Sequence, residues 1–477
     1  MIIARNYGRM LAALAASVIA ACGGGGGSDG EPVAGIDRGG VTIAQGPISG
    51  FGSVIVNGVR YSTSGATITV DDRPGTESEL RVGQVVRVEG TVDAGGTTGT
   101  ARSVSFNDEL EGPVQSIDVA ASRMVVLGQT VQVSATTSFD DAIVPRGLEG
   151  LQAGERVEVS GLVRADGVIA ATRIERKAAA AAVEVKGTAQ SVDTAARRFR
   201  INQQQVDYSG ATLSGFASGQ PANGDVVEVD GTVNGAGVLL ATRVERRSTS
   251  LSGSTNDRAE IEGLVTRFAS AADFDVAGQR VTTTAATRYE DGSAANLALN
   301  VNVEVEGGFD ASGRIVATEV EFRQEADIEL AGPVDAVNAA GSSFVMLGAT
   351  LRTTTVTRFE DQSDADVEPF GLADLRVGDY VAVKAYRDAG GLVATLLERE
   401  DAESTVELGG IATDVAQPNL RVGGIAATTG PLTEYRDNDD VSISAATFFA
   451  AAPGREVKVR GSLVNNVVLA DEAELED

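Results

Sequence analysis

One phrase recurs six times along the chain, and this recurrence limits the fold more than any other feature. It reads LRVGQVVRVEG at 80–90, LQAGERVEVSG at 151–161, PANGDVVEVDG at 221–231, LALNVNVEVEG at 297–307, LRVGDYVAVKA at 375–385 and AAPGREVKVRG at 451–461. Successive copies lie 71, 70, 76, 78 and 76 residues apart. In each copy a small residue (Gly83, Gly154, Gly224, Asn300, Gly378, Gly454) is followed seven positions later by another (Gly90, Gly161, Gly231, Gly307, Ala385, Gly461). Asn is the only substitute at the first position, and Asn joins Gly most readily in left-handed backbone. That position reads as a tight turn with positive φ at the start of a strand. Apolar and polar residues then alternate, as in Val157-Glu158-Val159 and Val303-Glu304-Val305, the period-two signature of a strand with one buried face.

A second phrase follows each copy: TARSVSF (100–106), ATRIERK (171–177), ATRVERR (241–247), ATEVEFR (317–323), ATLLERE (394–400) and a degenerate LADEAELE (469–476). Gly, Asn and Asp turns separate the two phrases, as expected of a β-hairpin. Upstream, each unit opens on a short strand containing Gly, such as Leu110-Glu111-Gly112-Pro113-Val114, followed by an aliphatic strand and a Thr/Val-rich strand. A polar segment then leads back to the turn. Five strands with one long connection between the third and fourth match the OB-fold. An immunoglobulin-like sandwich needs seven strands and about 100 residues, more than these units supply. The expected fold class is all-β: six tandem OB-like small barrels of five to six strands, over 46–107, 108–177, 181–247, 258–323, 326–400 and 403–477. They project as a string or a compact stack. Closing each sheet is expected to remove free strand edges.

Composition removes several functions. The chain has no His, so an imidazole base, a Ser-His-Asp triad and a His-ligated metal are excluded. Its single Cys allows no intramolecular disulfide and no Cys cluster. Lys and Arg number 39 against 67 Asp and Glu, a net charge of −28, which repels phosphate backbones and argues against a nucleic-acid partner. No cofactor and no catalytic residue is expected.

The N-terminus reads as targeting. Arg5 and Arg9 precede an apolar run over 10–21 that is too short to span a bilayer but suits a signal-peptide core. The run ends Ile19-Ala20-Ala21-Cys22, which resembles the bacterial lipobox. The resemblance implies cleavage of 1–21, lipidation of Cys22 and a membrane partner through that lipid. More than one acyl chain makes such an anchor stable. The Gly-rich stretch 22–45 reads as lipidated cysteine and tether. Gly23, where an inner-membrane retention signal would have Asp, implies the outer membrane by analogy with lipoprotein sorting. The repeated phrases resemble a family of bacterial envelope repeats, domain of unknown function 5666. It carries no established activity, so the resemblance implies an architecture and a location but no mechanism.

Four features of the sequence invite chemistry. Acidic residues end the third strands: Asp71-Asp72, Asp140-Asp141, Glu290-Asp291, Glu360-Asp361 and Asp437. The densest are Asp361, Asp364 and Asp366, and Asp437, Asp439 and Asp440, weak candidates for a calcium site; the bland alternative is an aromatic plug of the barrel end followed by a solvated turn. The glycine run 46–58 lacks a complete phosphate-loop pattern and reads as a bulged first strand. Carboxylate pairs for acid–base work are disfavoured, because most Glu alternates with Val and reads as solvent-facing, as at Glu228 and Glu304. Arg173, Arg176, Lys177, Arg243, Arg246 and Arg247 alternate with Glu and read as ion-paired strand ends. The function expected is a lipid-anchored, non-catalytic binding or structural protein of the envelope. The alternative is a receptor for a cationic or carbohydrate ligand, with exposed aromatics at Phe51 and Tyr61, or at Tyr380 and Tyr386. The identity of a protein or glycan partner is left open.

Overall fold

The computed structural model describes residues 41–476 except 51, 52, 120, 135, 256, 325, 368, 389 and 438–440. The signal-like segment, Cys22, the tether up to residue 40, Phe51, Asp439 and Asp440 lie outside the described residues, and residues 42–45, read as the end of the tether, belong to the first strand instead. Strands dominate, and among the described residues the one α-helix is Ala445–Ala451.

Repeat two shows how the sequence builds the unit. Its strands are Leu110–Asp118, Arg123–Val126, Gln129–Gln132 (resumed at Ser138–Phe139), Arg156–Val163 and Ile169–Lys177. Strands one, two and three form an antiparallel meander. Strand three runs parallel to strand five, and strand four lies antiparallel between five and one. The order 1-2-3-5-4-1 closes a five-stranded OB-type barrel. The other five repeats close the same way. Repeat one begins at Thr42, upstream of 46. The connection between strands three and four holds a short 3-10 turn in several repeats and the helix in repeat six.

The two recurring small residues have different causes. The first is left-handed in every repeat, with φ from +66° at Asn300 to +93° at Gly378. The second marks a bulge between strands four and five, where the register shifts in all six copies. A Cβ at Gly231 would lie 2.2 Å from the Leu240 carbonyl oxygen, and one at Gly461 would lie 2.0 Å from that of Leu469, so five repeats keep Gly there.

The alternating Val and Ile residues fill the barrels: Leu110, Val126, Val131, Val157, Val159 and Ile174 are fully buried in repeat two. Phe139 plugs the barrel end, and Tyr435 does so in repeat six by packing on Phe448 of the helix at 5.4 Å.

The chain is not a string. Residues Arg38–Asp477 form one compact unit. Strand one of each barrel pairs with strand two only through its second half, which leaves one edge of its first half open. The first strand of another repeat covers that edge. In repeats two and three, Leu110 and Glu111 pair antiparallel with Val185 and Glu184. In five and six, Ile328 to Ala331 pair with Gly410 to Glu407. In one and four, Thr42 to Gln45 pair parallel with Arg258 to Ile261. Barrel closure therefore does not remove every edge, and pairwise docking covers what remains. The cores of two and three, and of five and six, are each continuous.

Gly154 has φ +92°, and a Cβ added there would meet nothing within 4 Å, so substitution tests backbone strain alone. Gly154→Val should destabilise the protein by about 1–3 kcal/mol, and Gly154→Asn by less than about 1 kcal/mol, as Asn300 shows the side chain is accepted. Urea unfolding of both variants decides, and equal losses would refute the strain argument.

Candidate functional site

Docking the barrels buries faces that the alternation pattern assigns to water. Glu228 is 1 % exposed, Glu304 5 % and Glu158 5 %, so the expectation of solvent-facing Glu at Glu228 and Glu304 is corrected. Each lies on the outward face of a fourth strand, and a second barrel covers that face. A buried carboxylate is costly unless a cation meets it.

The cations come from the end of strand five. In repeat four, Glu262, Glu304 and Glu321 sit side by side on strands one, four and five. The Arg323 guanidinium reaches all three, with Nε 3.1 Å from Glu262. In repeat three, Arg243 holds Glu228 at 2.7 Å, Asp230 at 2.5 Å and Glu245 at 2.7 Å, and Arg247 holds Glu228 at 2.6 Å. Both also reach Asp72 of repeat one. The Arg/Glu alternation at strand ends is thus ion pairing, as read from sequence.

Repeat two carries the longest row. Glu184, Glu111, Glu158 and Glu175 are register neighbours on four adjacent strands, the first belonging to repeat three. Arg156 Nε lies 2.7 Å from Glu111, Lys177 Nζ 2.6 Å from Glu158, and Arg173 Nε 2.6 Å from Glu175. Two aspartates join the row. Asp108 lies in the connection between repeats one and two, and Asp71 sits in a left-handed turn of repeat one whose N–H donates to the Phe106 carbonyl. Carboxylate oxygens of Asp108, Glu111 and Glu158 lie within 4.8 Å of one another. Among the described residues no ion pair reaches Asp71, Asp108 or Glu184.

Charge crowding shows in proton affinity. Burial pushes Glu158 up to about 7 against the pull of Lys177. Glu184 rises to about 8 through burial, then through Glu228, Asp230 and Asp71, with Arg243 opposing. Burial raises Asp108 well above the carboxylate range, and Glu184, Glu158, Asp71 and Glu111 add to it. At the junction of repeats one and four, burial and then Glu306 raise Glu260 to about 8, with Arg258 and Arg323 opposing.

The acidic turns singled out from sequence behave differently. Asp361 is buried, and its carboxylate accepts from Arg399, from the Ser363 hydroxyl at 2.7 Å and from the Val367 N–H at 2.7 Å. Burial alone would raise it, but these donors hold it well below the usual range. Asp364 and Asp366 are exposed. Asp437 accepts the Val441 N–H at 2.9 Å. The carboxylates that converge among the described residues are others. Of the aromatics expected to be exposed, Tyr61 and Tyr380 are buried, and Tyr386 lines a cavity between barrels. The glycine run forms a bulged first strand, with the register shift between Ile48 and Gly50.

Two cavities lie between barrels. One of about 410 Å³ separates repeats two and five and is lined by Phe139, Arg146, Glu329, Lys384, Glu398 and Glu400. A smaller one of about 150 Å³ meets repeats one, two, four and five, and the Ser49, Asn57, Thr172 and Asn302 side chains on its wall each hold a buried oxygen without a hydrogen-bond partner.

A tandem array of small closed barrels with ion-paired faces is a structural or binding architecture. The chain belongs to the family described as domain of unknown function (DUF5666), which matches it six times, over residues 42–105, 111–175, 186–245, 262–321, 331–398 and 410–474. No curated protein matches the chain. Among solved structures, one titled "drosophila Unr CSD456" is similar at 12 % identity over 46 % of this chain and 97 % of its own, with a TM-score of 0.12. At that score nothing follows from the likeness.

The buried charges make two outcomes testable. Arg323→Met leaves three carboxylates uncompensated and should cost about 3–5 kcal/mol, whereas Arg323→Lys should cost less; thermal unfolding of both measures this. Secondly, Glu158, Glu184 and Glu260 bind protons more tightly folded than unfolded, where carboxyls titrate near about 4.3. Their stabilising contribution is full below that value and is lost as pH rises through about 7 to about 8. Stability should fall between about pH 5 and about pH 9, and Glu184→Gln should flatten the profile. A profile rising with pH would contradict the assignment.

Proposed function

We propose that the protein is a lipid-anchored component of the bacterial cell envelope with a structural or binding role, held at the outer membrane through Cys22. The observation that supports this most is the pairing of a lipobox-like Ile19-Ala20-Ala21-Cys22, at the end of a short apolar run, with one compact body of six barrels. Among the described residues no helix is long and apolar enough to cross a membrane, and the lipid supplies the attachment in this reading. The docked first strands join the barrels in pairs within one compact block. Such a block suits a spacer or a platform on the membrane surface.

A second reading, a receptor for a cationic or carbohydrate ligand, draws support from the cavity between repeats two and five. Glu329, Glu398 and Glu400 of repeat five, with Lys384 ion-paired to Glu329 on the same wall, share it with Arg146 of repeat two, a lining that favours an amine or a polyhydroxyl ligand over an apolar one.

Cys22→Ser should abolish metabolic labelling with palmitate, leave the signal segment uncleaved, and release the protein from membranes under a high-salt wash. Retention of label, or membrane partitioning unchanged by the substitution, would overturn the anchoring.

A further inference from the structure

We propose that the junction of repeats one, two and three is a divalent-cation site, built for calcium by Asp108, Glu111 and Glu158. The three carboxylates each present an oxygen within 4.8 Å of the other two. Oxygens bound to one calcium at 2.3–2.6 Å can be up to about 5 Å apart, so the spacing already fits ligands of a single ion. All the donors are oxygens, which suits a hard cation rather than zinc or copper.

The second observation is Asp108 itself. It is 2 % exposed, and its Oδ1 has no hydrogen-bond partner. A buried carboxylate oxygen left unpaired is costly. Asp71 Oδ1, from the adjacent turn of repeat one, is also buried without a partner. Arg156 and Lys177 each engage one oxygen of Glu111 and Glu158, which leaves each carboxylate a second oxygen to offer. Lys186 is held by Glu109 at 2.6 Å.

The chain provides its own control. A second group of converging carboxylates, Asp72, Glu228 and Glu245, lies nearby. There Arg243 and Arg247 reach all three acids. In that junction a guanidinium answers every acid, whereas in the proposed site Arg156 and Lys177 meet Glu111 and Glu158 and, among the described residues, no cation meets Asp108. A calcium ion at Asp108 would join the connection after repeat one to strands one and four of repeat two, fixing the angle between the first two barrels.

The test is calorimetric titration of the full chain in detergent with calcium chloride at constant ionic strength, alongside thermal unfolding with calcium chloride and matched sodium chloride. The expected result is a saturable binding event and a melting temperature raised by calcium beyond the sodium control. Asp108→Asn should abolish both while raising the melting temperature of the calcium-free protein, because it relieves repulsion. Glu111→Gln should weaken binding by about tenfold or more and carries the test if Asp108→Asn does not fold. Asp364→Asn, on an exposed turn, should change neither. No binding at millimolar calcium, or binding unaltered by Asp108→Asn and Glu111→Gln, would overturn the proposal.

Discussion

The open half-edge of strand one determines how the six barrels assemble. An OB-type barrel closes through strands four and two, but they meet different halves of strand one. In repeat five, Ile328 to Pro333 pair with strand four, and Val334 to Asn338 pair with strand two. The outer edge beside Ile328 to Ala331 would present unpaired backbone groups to water or to another chain. It pairs instead with repeat six. The same solution in the pairs two–three and one–four turns a local deficiency of the barrel into the rule of assembly.

That assembly sets the electrostatics. Each fourth strand turns Val inward, and in repeats two, three and four docking buries the acidic residue on its outward face. Repeats two, three and four place Glu158, Glu228 and Glu304 there, and the last residue of strand five, or the one just after it, supplies the answering Lys177, Arg247 or Arg323. Two separated phrases of the repeat thus form one electrostatic unit. Other contacts across barrels are polar as well. Ser138 Oγ donates to Glu360 at 2.6 Å between repeats two and five, and the Val85 N–H donates to Ser160 Oγ at 2.8 Å between one and two. Packing through hydrogen bonds and ion pairs suits a protein whose aromatic content is only 4 %, with few large side chains to fill apolar interfaces.

The barrel was legible in the sequence because its determinants are local. Alternation assigned the strands, and the Asn300 substitution revealed a left-handed turn that the backbone shows in all six copies. The bulge glycines and the plugs at Phe139 and Tyr435 follow from the same local chemistry. Interfaces between repeats depend on which barrel covers which face, and no short-range pattern records that. Period-two alternation distinguishes two faces of a strand but cannot tell water from a second barrel, so it places Glu228 and Glu304 in the wrong environment. The acidic turns are likewise read from local density. Local density marks Asp361, Asp364 and Asp366, whereas Asp108, Glu111 and Glu158 converge from a connection and two strands well separated in the sequence. Asp71 is visible in the sequence as the end of a third strand. Asp108 carries no signal beyond being acidic.

The connections set what the pairing can span. Repeats two and three follow one another through residues 178–181, and five and six through 401–405. Such short links permit docking of neighbours but do not select it, since residues 107–109 join repeats one and two by a shorter link still. With repeat two paired to repeat three, the open edge of repeat one is covered by repeat four. The link that brings repeat four back, residues 247–257, is the longest between barrels. At up to about 3.5 Å per residue it has the reach to return past the pair two–three. It is also tied down: Leu251 is buried in the core of repeat four, and its N–H donates to Gln279 Oε1 at 2.9 Å. The parallel pairing of Thr42 to Gln45 with Arg258 to Ile261 is therefore a consequence of nesting. One pair forms inside another, and the strand that would otherwise be left open at the start of the first barrel is covered by the barrel that follows the long link.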